Sequence, residues 1–140
     1  TGAFDPGEPI EAERAAMNKT PLKGWPRLKA AWFNSINGLG DVWRNEEAFR
    51  IEAIAFLVSV PAAFWIGETA FKISLLMGSV LLILIVEVLK TAVEAVVDRI
   101  GPERHELSRI AKDLGSLAVL LASLLAGIIW LAAAYEYRTV

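Results

Sequence analysis

The chain has 140 residues, a length suited to one domain. Its apolar set makes up 55% of the residues before ten glycines are added, against ~45 to 50% with glycine included for an average soluble protein. So short a chain has too little interior to hide that surface, which excludes general disorder and points to lipid as part of the solvent. Fourteen basic against sixteen acidic residues give a formal charge of -2, without the basic excess of a nucleic-acid binder. The absence of cysteine excludes disulfides, thiolate metal sites and thiol catalysis. A single histidine, His105, argues against a zinc cluster or a Ser/His triad.

Residues 1–24 read as a mobile acidic tail, with Asp5, Glu8, Glu11 and Glu13 among prolines and small residues. This segment has no charged start, apolar run and cleavage site of a secretory signal, so membrane entry is expected from internal segments. From Trp25 the apolar residues Leu28, Trp32, Ile36, Leu39 and Trp43 follow at steps of three and four, which predicts an amphipathic surface helix over 25–43. Lys19, Lys23, Arg27 and Lys29 suit an anionic leaflet, and Gly38 and Gly40 predict a bend before Asp41.

Three apolar stretches predict transmembrane helices over about 48–67, 70–97 and 114–135. Pro61 is expected to kink the first, 67–72 to form a tight hairpin link, and 98–113 to form the return loop. Basic residues collect before the first span and in the 98–113 segment, whereas the other side has only Lys72 and Arg138, so the N-terminus and 98–113 are assigned to the cytoplasm. Trp65, Trp130, Tyr135 and Tyr137 would then form the outer aromatic belt, and Trp25, Trp32 and Trp43 the inner one. Small residues at Ala111, Gly115, Ala118, Ala122 and Ala126 offer close helix contact, and so thin a bundle is expected to self-associate. The fold class is all-α: an integral membrane bundle of three spans with an N-terminal surface helix.

Glu87, Lys90, Glu94 and Asp98 are spaced three, four and four apart, which stacks them on one face of the second span. Ionisable groups in hydrocarbon cost ~2.5 to 3.5 kcal/mol each, so that face must look into the bundle, a wet cavity or a cation. One bland account is a Lys90–Glu94 ion pair that only fixes packing, which leaves Glu87 unpaired. The chemical account adds Glu46, Glu47 and Glu52 at the start of the first span, and Lys112 and Asp113 before the third. Carboxylates of this kind suit Mg²⁺ held together with nucleotide phosphates, and a deeper Glu87 suits a general base among lipid hydroxyls. Proton or ion translocation uses similar groups, so phosphate chemistry at a membrane surface and a non-catalytic conducting subunit both remain open. There is no GxxxxGK[ST], and Gly38-Leu39-Gly40 lacks the rest of a GxGxxG fingerprint. His105-Glu106-Leu107-Ser108-Arg109 lacks the second histidine of HExxH, which excludes a zinc protease of that type.

The runs Asn45-Glu46-Glu47-Ala48-Phe49-Arg50, Val86-Glu87-Val88-Leu89-Lys90-Thr91-Ala92-Val93-Glu94-Ala95-Val96-Val97-Asp98-Arg99 and Ala111-Lys112-Asp113-Leu114-Gly115-Ser116 resemble the prokaryotic diacylglycerol kinase family, in register from about Arg27 to Trp130. The resemblance implies a homotrimeric kinase of the bacterial inner membrane, with active sites shared between neighbours, that moves the γ-phosphate of ATP to the primary hydroxyl of diacylglycerol. By position, Glu87 resembles the general base, and Glu46 and Glu94 resemble Mg²⁺ ligands that also hold ATP. Lys112 would neutralise phosphate charge, and Asp113 would orient groups near the transferring phosphate. Arg27, Ser35, Asp98 and Glu106 look like nucleotide-pocket residues, with Glu52 and Ser116 on the lipid-substrate side.

Two positions depart from the familiar pattern: Lys90 stands where it has asparagine, and Arg109 where it has glycine. Lys90 could bind phosphate itself or pair with a metal-binding carboxylate. The same bundle would also serve a polyisoprenoid alcohol such as undecaprenol, or a family member that has lost catalysis and persists as a lipid-binding trimer.

Overall fold

The structure is a computed structural model that describes residues 21–139. Most of the acidic segment expected over 1–24 therefore lies outside the described residues, as do Arg14 and Lys19. Four helices follow in chain order: α1 (Trp25–Asn45), α2 (Glu47–Ile66), α3 (Ala70–Ile100) and α4 (Glu106–Thr139). The chain divides into a first unit that ends at Gly38 and a second that begins at Leu39.

In the first unit, α1 carries the Trp25, Leu28, Trp32, Ile36 stripe. The helix continues through Gly38 and Gly40 to Asn45, two residues beyond the predicted end.

In the second unit, α3 packs along α4 and, less extensively, along α2, while α2 and α4 touch little. All three helices are long and apolar enough to cross a membrane. The 20 residues of α2 give ~30 Å of helix, one hydrocarbon thickness, and Pro61 sits inside it without ending it. The 31 residues of α3 and 34 of α4 give ~46 Å and ~51 Å, so both exceed the bilayer core by several turns.

The expected 98–113 return loop is shorter than the charge pattern suggested. Helix α3 continues to Ile100 and α4 already begins at Glu106, leaving only 101–105 between them. Two local causes are visible. The Leu107 N–H, one of the unpaired donors of a helix start, is accepted by His105 Nδ1 at 3.1 Å. Arg109 then pairs with Glu106 one turn back and Asp113 one turn on, ion pairs at spacings that support a helix.

The α2–α3 link is as tight as its length predicted. The Gly67 N–H is accepted by the Ala63 carbonyl at 2.8 Å, and a Cβ at Gly67 would fall 2.6 Å from that same oxygen and against Ile73. Thr69 caps α3, its hydroxyl accepting the Lys72 N–H at 3.2 Å.

The core consists of two small apolar clusters. Val42, Phe49 and Leu84 close one end with Ala53 and Phe56 around them, and Ala63, Leu76 and Ala133 close the other with Trp130. Ala122 and Ala126 are buried, as their small-residue spacing suggested, whereas Ala118 is exposed. Ile54, Leu57, Val58, Leu120, Leu124 and Ile128 face outward, an apolar surface that water would not tolerate and acyl chains would.

At the end formed by the α2–α3 link, Lys72 pairs with Glu136 at 2.7 Å and Glu68 at 3.4 Å, and Trp65 Nε1–H donates to the Tyr137 hydroxyl at 3.1 Å. Trp130 turns inward there, donating its indole N–H to the Leu76 carbonyl at 3.2 Å.

Candidate active site

Helix periodicity puts Glu87, Lys90, Thr91 and Glu94 of α3 on one face. That face points into the bundle: Glu87 is 1% exposed, one of the two largest fully buried side chains. Its carboxylate is not left alone. Lys90 Nζ donates to Glu87 Oε1 at 3.2 Å and stands 3.9 Å from Glu94 Oε1, so the lysine bonds the deep carboxylate and only approaches the shallower one. Lys90 thus pairs with both carboxylates, and Glu87 is not left unpaired by the Lys90–Glu94 pair.

Helix α2 brings further carboxylates to this face. Glu52 comes within electrostatic reach of both Glu87 and Lys90, and its Oε2 is a buried oxygen without a hydrogen-bond partner. Glu46 occupies the N-cap position of α2 without capping it, which leaves its half-buried carboxylate within electrostatic reach of Lys90. Arg50 fastens this junction by donating to the Trp43 carbonyl at 2.7 Å and the Arg44 carbonyl at 3.2 Å, the unsatisfied acceptors at the end of α1. Thr91 adds a second buried, unpartnered oxygen, its Oγ1. Buried oxygens without a partner are uncommon, and these two are open acceptors on the faces that carry the carboxylates.

Toward the 101–105 loop the same α3 face meets α4. Lys112 Nζ lies 2.7 Å from Asp98 Oδ1 and within electrostatic reach of Glu94. A cavity of about 550 Å³ opens there, lined by Asp98, Arg104, His105, Glu106, Arg109 and Lys112 among others. Lys112 and Glu106 precede the apolar stretch that begins at Leu114. The hydrogen bond to Asp98 raises the Lys112 ammonium above its usual value, and the Arg109 guanidinium holds the Glu106 carboxyl below its usual one.

The predicted residues thus fall into two neighbouring groups. Glu46, Glu52, Glu87 and Glu94 surround the Lys90 ammonium, and Asp98, Glu106 and Lys112 line the cavity. Asp113 is turned to Arg109, and the exposed Ser116 hydroxyl bonds the Lys112 carbonyl of its own helix at 3.2 Å. Arg27 and Ser35 lie in the first unit, where the Ser35 hydroxyl bonds the Ala31 carbonyl at 2.9 Å. Sequence reasoning missed Thr91, the Arg50 fastening and the role of Gly115, over which the Lys90 stem passes. An arginine seven residues after a helix-terminal carbonyl has no sequence signature, but Thr91 shares the spacing of the acidic stripe and was findable.

Among the described residues, no three of His, Asp and Glu are grouped closely enough to hold a metal by themselves. Glu46 and Glu94 offer carboxylate oxygens within electrostatic reach of one ammonium. That donor set fits Mg²⁺ shared with nucleotide phosphates, which commonly takes one or two carboxylates, and does not fit an all-protein cage.

Three apolar helices around a buried carboxylate–lysine cluster, with a polar cavity at one end, define a multi-pass membrane protein whose site opens at the end of its bundle. Residues 33–134 match the family described as prokaryotic diacylglycerol kinase. The chain is 50% identical over 107 residues to the diacylglycerol kinase of Escherichia coli strain K12, covering 76% of this chain and 88% of that protein. It is 49% identical over 96 residues to the diacylglycerol kinase of Haemophilus influenzae, with 69% and 81% covered. With that of Pseudomonas aeruginosa it shares 38% over 117 residues, with 81% and 95% covered. The chain belongs to the prokaryotic diacylglycerol kinase family.

Proposed function

We infer that this protein transfers the γ-phosphate of ATP to the primary hydroxyl of diacylglycerol, giving phosphatidic acid at the cytoplasmic face of a bacterial inner membrane. One observation carries the reading beyond family membership. A fully buried carboxylate, Glu87, lies in an apolar bundle beside a lysine and further carboxylates, with a polar cavity at the outlet of the same helix face. In this reading the cavity at the end of the helix face takes the nucleotide, and Glu87 takes the lipid hydroxyl.

In this mechanism the Glu87 carboxylate accepts the hydroxyl proton while that oxygen attacks the γ-phosphorus. The bond from the γ-phosphorus to the bridging oxygen breaks, ADP leaves with that electron pair, and the proton stays on Glu87. Glu52 orients the glycerol hydroxyls through its free oxygen, and Ser116 and Asp113 flank the lipid and the phosphate. Lys112 neutralises phosphate charge, and Lys90 holds the Glu87 carboxylate through its hydrogen bond. Asp98 and Glu106 hold the rest of the nucleotide. Glu46 and Glu94 would hold Mg²⁺, which supplies charge neutralisation at the phosphates. Phosphoryl transfer asks mainly for such positioning, so the lack of a soluble kinase fold is no obstacle.

The outward apolar surface of the three helices supports assembly into a homotrimer whose neighbours complete each site. The basic bias before α2 and around 98–113 supports a cytoplasmic N-terminus, and the α1 stripe supports a helix at the membrane surface.

The test is phosphate transfer from Mg²⁺-ATP in mixed micelles, with dioleoylglycerol and undecaprenol offered separately and Glu87→Gln as control. Glu87-dependent turnover of diacylglycerol is the expected result. Preference for undecaprenol would move the protein to polyisoprenoid phosphorylation, and absence of nucleotide-dependent turnover would favour a lipid-binding or conducting role.

A further inference from the structure

Lys90 is the residue at which this site differs most from a plain carboxylate cluster, and its side chain follows a path that a second helix makes possible. Gly115 of α4 lies directly against it. A Cβ built at Gly115 would come 3.0 Å from Lys90 Cγ, 3.6 Å from Cβ and 3.9 Å from Cα. The first of these is tighter than ordinary carbon contact, so an alanine there would have to displace the lysine stem or push α4 away. Lys90 is 18% exposed, and its ammonium is bonded to the buried Glu87 at the end of that stem.

We propose that Gly115 and Lys90 form a positioning pair for Glu87: the glycine opens a lane across α4 for the lysine stem, and the lysine fixes the orientation of the deep carboxylate. The proposal rests on the reading of Glu87 as the base. The Lys90 hydrogen bond takes Oε1, which orients the carboxylate and leaves Oε2 to receive the hydroxyl proton. The bond also offsets part of the cost of holding an anion where solvent cannot reach it. Three helices contribute, because Glu52 of α2 lies within electrostatic reach of the same ammonium. Lys90 acts through Glu87, and Gly115 acts through Lys90.

The dependence is ordered, and that makes it testable with Lys90→Ala, Gly115→Ala and the double variant in the full chain. In Lys90→Ala the atom 3.0 Å from the new methyl is gone and the remaining contact is ordinary, so the alanine at 115 fits. Turnover of Mg²⁺-ATP and dioleoylglycerol in micelles should show kcat reduced about tenfold or more in each single variant, with KM for the lipid unchanged and the double variant no worse than Lys90→Ala. The thermal midpoint in detergent should fall in Gly115→Ala relative to wild type, but not in the double variant relative to Lys90→Ala.

Wild-type kcat in Lys90→Ala would overturn the positioning role. Equal losses from Gly115→Ala in both backgrounds would overturn the coupling, since the glycine would then act on helix packing alone. If wild-type protein turns over neither lipid, the kinase reading fails by itself, and the thermal midpoints still report whether the two residues are coupled. Should Gly115→Ala fail to fold on its own, recovery of folding in the Gly115→Ala/Lys90→Ala double variant is the expected result, and a double variant that also fails to fold while Lys90→Ala folds would overturn the coupling.

Discussion

Lys112 of α4 and Asp98 of α3 meet at 2.7 Å across the short 101–105 loop, although fourteen residues separate them in the chain. Both side chains remain largely exposed, at 46% and 66%, so the pair contributes little to stability. Its position at the mouth of the cavity matters more. Replacing Lys112 with methionine is expected to leave the thermal midpoint near wild type and to raise KM for ATP about tenfold or more through loss of a charge-assisted contact to phosphate. Initial rates against ATP concentration decide it, and an unchanged KM would remove Lys112 from the nucleotide site.

Glu87 and Glu94 lie two turns apart on α3 and should fail differently. Glu87→Gln keeps the shape and removes proton acceptance, so turnover should drop by about 10²-fold or more while nucleotide binding persists. Glu94→Gln should instead shift the Mg²⁺ requirement to higher concentration and weaken ATP binding, with the lipid KM unchanged. Mg²⁺ titrations at fixed ATP, together with nucleotide binding by equilibrium dialysis, separate the two. Identical phenotypes would contradict the division of roles.

Gly67 has no room for a side chain, since any Cβ would press on the Ala63 carbonyl and on Ile73. Gly67→Ala should therefore destabilise the α2–α3 hairpin by about 1 to 3 kcal/mol. Detergent-solubilised protein should unfold at lower temperature, whereas Gly78→Ala, at a position with open space around it, should not.

The Trp130 indole N–H bonds a Leu76 carbonyl that already accepts the Ser79 hydroxyl at 2.7 Å. Trp130→Phe preserves most of the apolar contact and leaves that carbonyl partnered. The expected cost is about 1 kcal/mol or less, at the low end for a lost hydrogen bond, and chemical denaturation in micelles would measure it. A cost several times larger would mean that the ring edge, and not the bond, seats α4 on α3.

The spans are legible in the sequence because a long uncharged run has no stable home in water, and the stripe from Glu87 to Asp98 because period and charge coincide. The helical start of α4 is not legible. Charges between 98 and 113 look like loop chemistry until Arg109 is seen to join Glu106 and Asp113 along one helix face. Gly115 reads as a contact point for another helix backbone, yet it accommodates the stem of a lysine. Spacing identifies which residues share a face, but not which neighbouring side chain fills the space a glycine leaves.

Eleven residues separate Glu87 from Asp98 on an unbroken helix, about 16 Å along its axis. A bare phosphate or a water molecule can occupy either station but never both. A molecule that engages the cavity mouth and the deep carboxylate together has to lie lengthwise along α3, and a shorter one reaches a single station only.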